Sequence, residues 1–450
     1  MRQGLTIFFN KYYYVATIML LVFLFWWLDQ TLIGMILVAL LACMSTLFSE
    51  DLKPFATAFV SYTFLCTPNF IERLRSLDRT IIIFGSILLV LVIITLLVYY
   101  YRHRIEIRSR FTLGSLFVGM VLAMIVAVLA GIGSPYFTWL SFSITLGCFI
   151  FMICFYVVFR NTLTVNLKQY LAYVMVGVGI VVSLEMLVYY VNHPISFDIP
   201  LRLEVGWGIK NTIGVLIAFA IPMCLYLGYR SKQLWCYLII AFLLYGALIA
   251  TLSRGNVFII TAMLPLMLLY FYYKTPYRKM FLYSLAGLIG LTCISYLCFH
   301  QTINGIIISY LNRGLDDSSR WELWHKVFEM GKGYRIFGIS YRGTIEGFPF
   351  VGTLLKAHST ILQIFISNGI IGLIGFSKFF YDRYKLIIKA KVKDPFWFVG
   401  TLVILTFALY GLIDLNFFII YEAFFVFLIL IVLELDQTNS IIENDVLELE

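Results

Sequence analysis

The sequence predicts an all-α polytopic membrane protein of about 12–14 transmembrane helices, with one long extracytoplasmic loop that contains an amphipathic helix. Of the 450 residues, 62% are hydrophobic and only 13% charged, and apolar runs long enough to cross a hydrocarbon core recur from end to end. Lipid offers the backbone no hydrogen bonds, so such runs must satisfy their own as helices. The sustained alternation of a membrane β-barrel is missing.

In order, the spans fall at about 12–28, 31–48, 55–71, 80–101, 111–131, 136–159, 169–191, 209–228, 234–252, 256–273, 280–299, 358–380, 396–413 and 416–433. The first has no small-residue cleavage site behind it and reads as a retained helix rather than a signal peptide. Basic residues concentrate in segments 101–110, 229–232, 274–279 and 381–393, and placing these in the cytoplasm orients every helix between them. Segment 72–79, with Arg73, Arg75 and Arg79, falls outside against that rule, yet an even number of crossings before it keeps the later orientation. Outside then lie the polar connection 300–357, the shorter loop 192–208, the tight turn Ser253-Arg254-Gly255, and Asp414 before the last helix. Three regions result: N-terminal helices 1–208, a second membrane region 209–433 that includes loop 300–357, and an acidic cytoplasmic tail 434–450.

Composition also excludes functions. The formal net charge of +9 sits in short interhelical loops, where it sets orientation, so it does not indicate nucleic acid. The eight cysteines, Cys43, Cys66, Cys148, Cys154, Cys224, Cys236, Cys293 and Cys298, lie in or at the ends of apolar runs and read as small buried apolar residues, neither a zinc site nor a disulfide framework. No metal is expected: Asp316-Asp317 has no third ligand suitably placed and reads as a solvated turn. A phosphate loop for nucleotide is missing, and Gly331-Lys332-Gly333 falls on the outer side, so any activated donor should be lipid-borne and no cofactor is expected.

Chemistry enters at two places. Loop 300–357 contains Ser319-Arg320-Trp321-Glu322, a capping-box pattern, followed by Trp324, Val327 and Phe328 at helical spacing. This predicts a helix on the membrane face with Trp321 and Trp324 at the interface. After it come His358-Ser359, nine residues, then Gly369 and Gly372, at the watery end of an apolar run. Gly369, Gly372 and Gly375 recur every third residue, a stripe that ordinarily lets helices approach closely, whereas an ionisable histidine there points to function.

His358-Ser359 with Gly369 and Gly372 resembles the motif of the O-antigen ligase family, which is similar to the polymerases of O-antigen and capsule. Ser253-Arg254-Gly255 at a helix junction, Arg320 in the long loop and Asp414 before the last helix also resemble family positions, over roughly 205–425. The resemblance implies a membrane glycosyltransferase on the extracytoplasmic face of a bacterial cytoplasmic membrane. It would move glycan from an undecaprenyl-pyrophosphate carrier to an acceptor hydroxyl, with a chain-length regulator as a further partner. In that reading Arg254 and Arg320 form a pyrophosphate clamp, because guanidinium stays protonated and donates in pairs to phosphate oxygens. His358 is the general base, since imidazole exchanges protons near neutral pH. Asp414 orients the imidazole or meets sugar, while Lys210, Asn211 and Trp321 contact substrate.

Each residue has a plainer alternative. Arg254 could anchor a helix end in the headgroups, Arg320 could line an exposed helix face, His358 could cap a helix and Asp414 could do the same. Lys210 could snorkel and Asn211 could pack. Three activities fit the chain: polymerisation of lipid-linked repeat units, favoured; ligation of finished glycan to an acceptor such as lipopolysaccharide core; and transport of lipid-linked oligosaccharide, disfavoured because ionisable residues crowd the outer boundary and no half-to-half repeat is visible.

Overall fold

The computed structural model describes residues 2–49, 51–76, 78–163, 166–193, 203–312, 320–340, 357–389 and 394–447. The apolar runs within them are helices: α1 (Arg2–Asn10), α2 (Tyr12–Trp27), α3 (Thr31–Phe48), α4 (Lys53–Ser61), α5 (Pro68–Arg75), α6 (Arg79–Arg110), α7 (Phe117–Val128), α8 (Trp139–Thr162), α9 (Leu167–Asn192), α10 (Lys210–Gly228), α11 (Leu234–Ala250), α12 (Arg254–Lys274), α13 (Arg278–Asn312), α14 (Arg320–Gly331), α15 (Thr360–Lys389), α16 (Pro395–Tyr410) and α17 (Ile420–Leu447). Among the described residues, eight helices are long and apolar enough to cross a membrane: α3, α6, α8, α9, α10, α12, α13 as far as Gln301, and α15. α1 and α2 meet at a bend of 67°, the form of a broken span or a re-entrant loop, and α7, α11 and α16 are shorter apolar helices.

Three expected elements differ. The span at 55–71 is α4, a 3-10 turn over Tyr62–Leu65, and α5, because Pro68 starts a new helix whose first turn is capped by the Thr67 side chain accepting from the Phe70 amide at 3.3 Å. The connection expected from residue 300 begins as helix: α13 breaks at Phe299 (φ −122°, ψ 25°) and resumes to Asn312. The tail expected from residue 434 also begins inside a helix. Glu434 is buried, accepting from the Ser115 amide and the Tyr156 hydroxyl, each at 2.6 Å, with the Arg160 guanidinium 3.4 Å away. A carboxylate with three such partners belongs to the packed protein rather than to a solvated tail.

The chain divides into two units, Met1–Arg108 with Leu163–Gly314 and Ser109–Thr162 with Leu315–Glu450. In the first, α10 is buried along nearly its whole length and packs on α9, where Gly179 faces Ala220 and lets the backbones approach. The hairpin ahead of α10, bridged between Glu204 and Ile209, is pinned by the Trp26 indole donating to the Val205 carbonyl at 3.1 Å and by the Trp207 indole donating to Glu185 at 2.7 Å. In the second, α7 and α15 pack closely: Gly375 faces Val126, and a Cβ on Gly119 would come within 2.7 Å of the Phe379 backbone. Phe376 and Phe380 of α15 meet Phe417 ahead of α17 edge-on, and Phe379 meets it at a tilt.

All eight cysteines are free thiols, and Cys154, Cys293 and Cys298 are exposed rather than buried, on outward faces of α8 and α13 that lipid would cover.

Candidate active site

In the second unit the start of α15 and the turn after α16 are joined by backbone and side chain. The Thr360 amide donates to the Gly411 carbonyl at 2.7 Å, and its hydroxyl donates to the Asp414 carbonyl at 3.3 Å. This brings His358 Nδ1 to 3.4 Å from Asp414 Oδ1, although 56 residues separate them. Asp414 is further held by the Leu415 amide on Oδ1 at 2.8 Å and by the Tyr410 hydroxyl on Oδ2 at 3.0 Å. Burial works against its charged form, yet the bonds from His358, Leu415 and Tyr410 outweigh it and hold the carboxyl below its ordinary value. An ionised carboxylate on Nδ1 favours the tautomer with its proton there and leaves Nε2 to accept one. The His358 side chain is 40% exposed, so that second nitrogen is reachable. His358 also adopts φ +43°, a region side chains rarely enter and one that recurs at functional sites.

The residue before His358 is fixed from both sides. The Ala357 amide donates to Gln363 Oε1 at 2.9 Å, and its carbonyl accepts from the Trp324 indole at 2.8 Å. Helix α14 is therefore docked on the site. Val327 is fully buried with Ile339, Ala357 and Ile366, while Trp321, 70% exposed, stands edge-on to Trp324. Trp324, expected at the membrane interface beside Trp321, instead faces inward because its indole has a carbonyl to satisfy. Arg320 opens α14 and is half-buried; the expected cap, Ser319, lies outside the described residues.

Gly369, expected as a packing residue, is a break in α15 with φ +66° and ψ −160°. Residues 335–340 form a strap that fills the break. The Ile370 amide donates to the Arg335 carbonyl at 2.8 Å, and the Ile339 and Ser340 amides donate to the Ile366 and Ser367 carbonyls at 2.8 and 3.1 Å. A Cβ on Gly369 would lie 2.6 Å from the Arg335 carbonyl oxygen and closer still to that of Ile336. Gly338, at φ +71°, sits as tightly on Ser367. Irregular backbone in a membrane helix persists only where protein satisfies it, and here the strap does. Of the three glycines at regular spacing, only Gly375 has the helix-packing role that the spacing suggested; Gly372 makes room for the Asn368 side chain.

In the first unit, Arg254 and Ser253 open α12 after Leu252, itself at φ +57°. Ser253 Oγ donates to Asn211 Oδ1 at 3.2 Å, and Asn256 Nδ2 donates to the Asn211 carbonyl at 3.0 Å and to Ser253 Oγ at 2.9 Å. The starts of α10 and α12 are thus tied through Asn211, Ser253 and Asn256, the chain neighbours of Lys210 and Arg254.

The structure distributes the sequence-predicted residues over two units: His358 with Asp414, and Arg320 at the start of α14, in the second, and Arg254, Asn211 and Lys210 at the starts of α12 and α10 in the first, so Arg254 and Arg320, expected as one clamp, fall in different units. Loop residues 313–319 and 341–356, with the loop arginines Arg313 and Arg342 and with Asp316 and Asp317, lie outside the described residues. Two residues of the second unit were missed. Tyr410 is the last residue of α16, and the turn that follows brings Asp414 back to its hydroxyl, a closure no sequence pattern marks. Glu422 is a carboxylate inside an apolar run, the signal by which intramembrane ionisable groups are found.

Residues 239–377 match a family model described as O-antigen ligase. This stretch is similar to the O-antigen ligase family. The matched residues include Arg254, Arg320, His358, Gly369 and Gly372, and end before Asp414. No curated protein matches the chain. The protein is a multi-pass membrane protein with a segment similar to O-antigen ligases.

Proposed function

We propose that this protein polymerises lipid-linked repeat units of a cell-surface polysaccharide on the extracytoplasmic face of the bacterial cytoplasmic membrane, using an undecaprenyl-pyrophosphate-linked donor. The observation that carries the reading is the His358–Asp414 pair, buried on the aspartate side and open on the histidine side, beside a segment similar to the O-antigen ligase family. His358 Nε2 takes the proton of the acceptor hydroxyl as its oxygen attacks the anomeric carbon of the donor. The bond from that carbon to the pyrophosphate oxygen breaks, and the pyrophosphate leaves with the electron pair. Asp414 stabilises the imidazolium formed, an arrangement familiar from other base–carboxylate pairs. In the second unit Arg320 is proposed to neutralise the leaving pyrophosphate, where guanidinium donors stabilise the developing charge, and in the first unit Arg254 is proposed to bind phosphate oxygens of the lipid carrier. Trp321, exposed at the start of α14, is proposed to stack on sugar or lipid, and Lys210 and Asn211 to meet carrier phosphate or sugar. The division into helices 1–208 and a catalytic membrane region 209–433, with the cytoplasmic end of the chain beyond the buried Glu434, is part of the same proposal, as is a chain-length regulator as partner.

A second reading, ligation of finished glycan to a terminal acceptor, is favoured by the family's own description as a ligase. The glycan-length profile of a deletion strain separates the two. Single capped repeat units on the final acceptor indicate a lost polymerase; long chains retained on the carrier indicate a lost ligase, and an unchanged profile contradicts both.

A further inference from the structure

Glu422 stands on the first turn of α17, eight residues after Asp414, with no exposed surface. Neither of its carboxylate oxygens has a hydrogen-bond partner. A glutamate at this position of a helix commonly reaches back to cap its first amide; Glu422 does not. Asp414 is the charged group whose field acts on it. Among the described residues, the elements packed on α17 meet it with aromatic faces, Phe155 of α8 on Phe424 and Phe379 of α15 on Phe427, the Tyr410 hydroxyl of α16 is taken by Asp414, and the cations Lys378 and Arg383 of α15 are engaged with Asp382 and Tyr384. Further along α17, residues 423–433 are apolar and buried, and Arg160 is engaged with Glu434 beyond them.

Two carboxylates thus share one dry region with very different surroundings. Asp414 has an imidazole, an amide and a hydroxyl to hold its charge; Glu422 has none. Two like charges in such a place are unfavourable, and the one without donors is the one that takes a proton. We propose that Glu422 carries a proton at neutral pH, so that a single negative charge, that of Asp414, stands behind His358. Glu422 is then a positioning residue that acts through Asp414 and never touches substrate. The inference rests on the reading of the His358–Asp414 pair as catalytic for its purpose, but not for its protonation state.

The test is infrared spectroscopy of the full-length protein in detergent, with Glu422→Gln as the difference partner, combined with glycan transfer by the same variant. The expected result is a protonated-carboxyl C=O stretch in the wild type that Glu422→Gln removes, with transfer kept within about threefold of wild type because the amide stands in for the neutral acid. A difference spectrum showing loss of an ionised carboxylate instead overturns the proposal, as does a Glu422→Gln variant that fails to insert or loses transfer. Because the infrared arm does not depend on what His358 does, its failure is distinct from failure of the proposed function.

Discussion

His358 concentrates the functional argument in one residue, since its backbone is held at φ +43° and its ring is set against a carboxylate kept ionised by three donors. A strained backbone costs of order 1–3 kcal/mol and persists only where neighbours over-determine it; here the Ala357 and Thr360 hydrogen bonds do so. Asp414, with a folded value below its ordinary one, contributes stability that is present above the ordinary carboxylate value and is lost as pH falls through the lowered value. Asp414→Asn should therefore cost about 1–3 kcal/mol at neutral pH, as expected for a disrupted buried network, and the difference from wild type should shrink in acid. Thermal unfolding in detergent across pH checks this, and a gap that is constant with pH goes against it. Arg254→Lys keeps the charge and any anchoring in the headgroups but loses the paired donors, so transfer should drop while expression holds. Near-normal transfer by the lysine variant would favour the anchoring role.

At the scale of elements, the strap 335–340 and the break in α15 form one device, because each supplies the hydrogen bonds the other lacks. Gly369→Ala must place a side chain at φ +66° and into the Arg335 and Ile336 carbonyls, whereas Gly333, two residues before the strap, has open space around it. Gly369→Ala should lower the unfolding temperature and abolish transfer, and Gly333→Ala should change neither. Equal behaviour of the two variants in these assays would show that the strap is not holding the site. Helix existence was legible from hydropathy, since apolar runs leave the backbone no other way to pair. The break was not. Glycines at 369, 372 and 375 have the spacing of a packing stripe, and what separates a break from a stripe is a strap some thirty residues earlier in the chain. The split of 55–71 was legible in principle from Pro68, which favours a helix start.

For the whole molecule, His358 and Asp414 were singled out through the family resemblance, with Asp414 orienting the imidazole or meeting sugar, while Tyr410 and Glu422, whose places depend on how α15, α16 and α17 pack, were not. Orientation follows from the basic loops and is a prediction: a cysteine at Gly333, exposed in the turn after α14, should react with an impermeant thiol reagent from outside the cytoplasmic membrane. Labelling above the native-thiol background only after that membrane is lysed would reverse the orientation and with it the lipid-borne donor. The central claim, that His358 is the base of a glycan transfer, is tested most directly by the transfer rate of His358→Asn in membranes supplied with lipid-linked donor. Asparagine tolerates the left-handed backbone at this position and can still hydrogen-bond, but cannot take a proton at neutral pH. The variant should insert and bind donor, yet transfer glycan about a hundred- to ten-thousandfold more slowly; transfer at close to the normal rate would contradict the account.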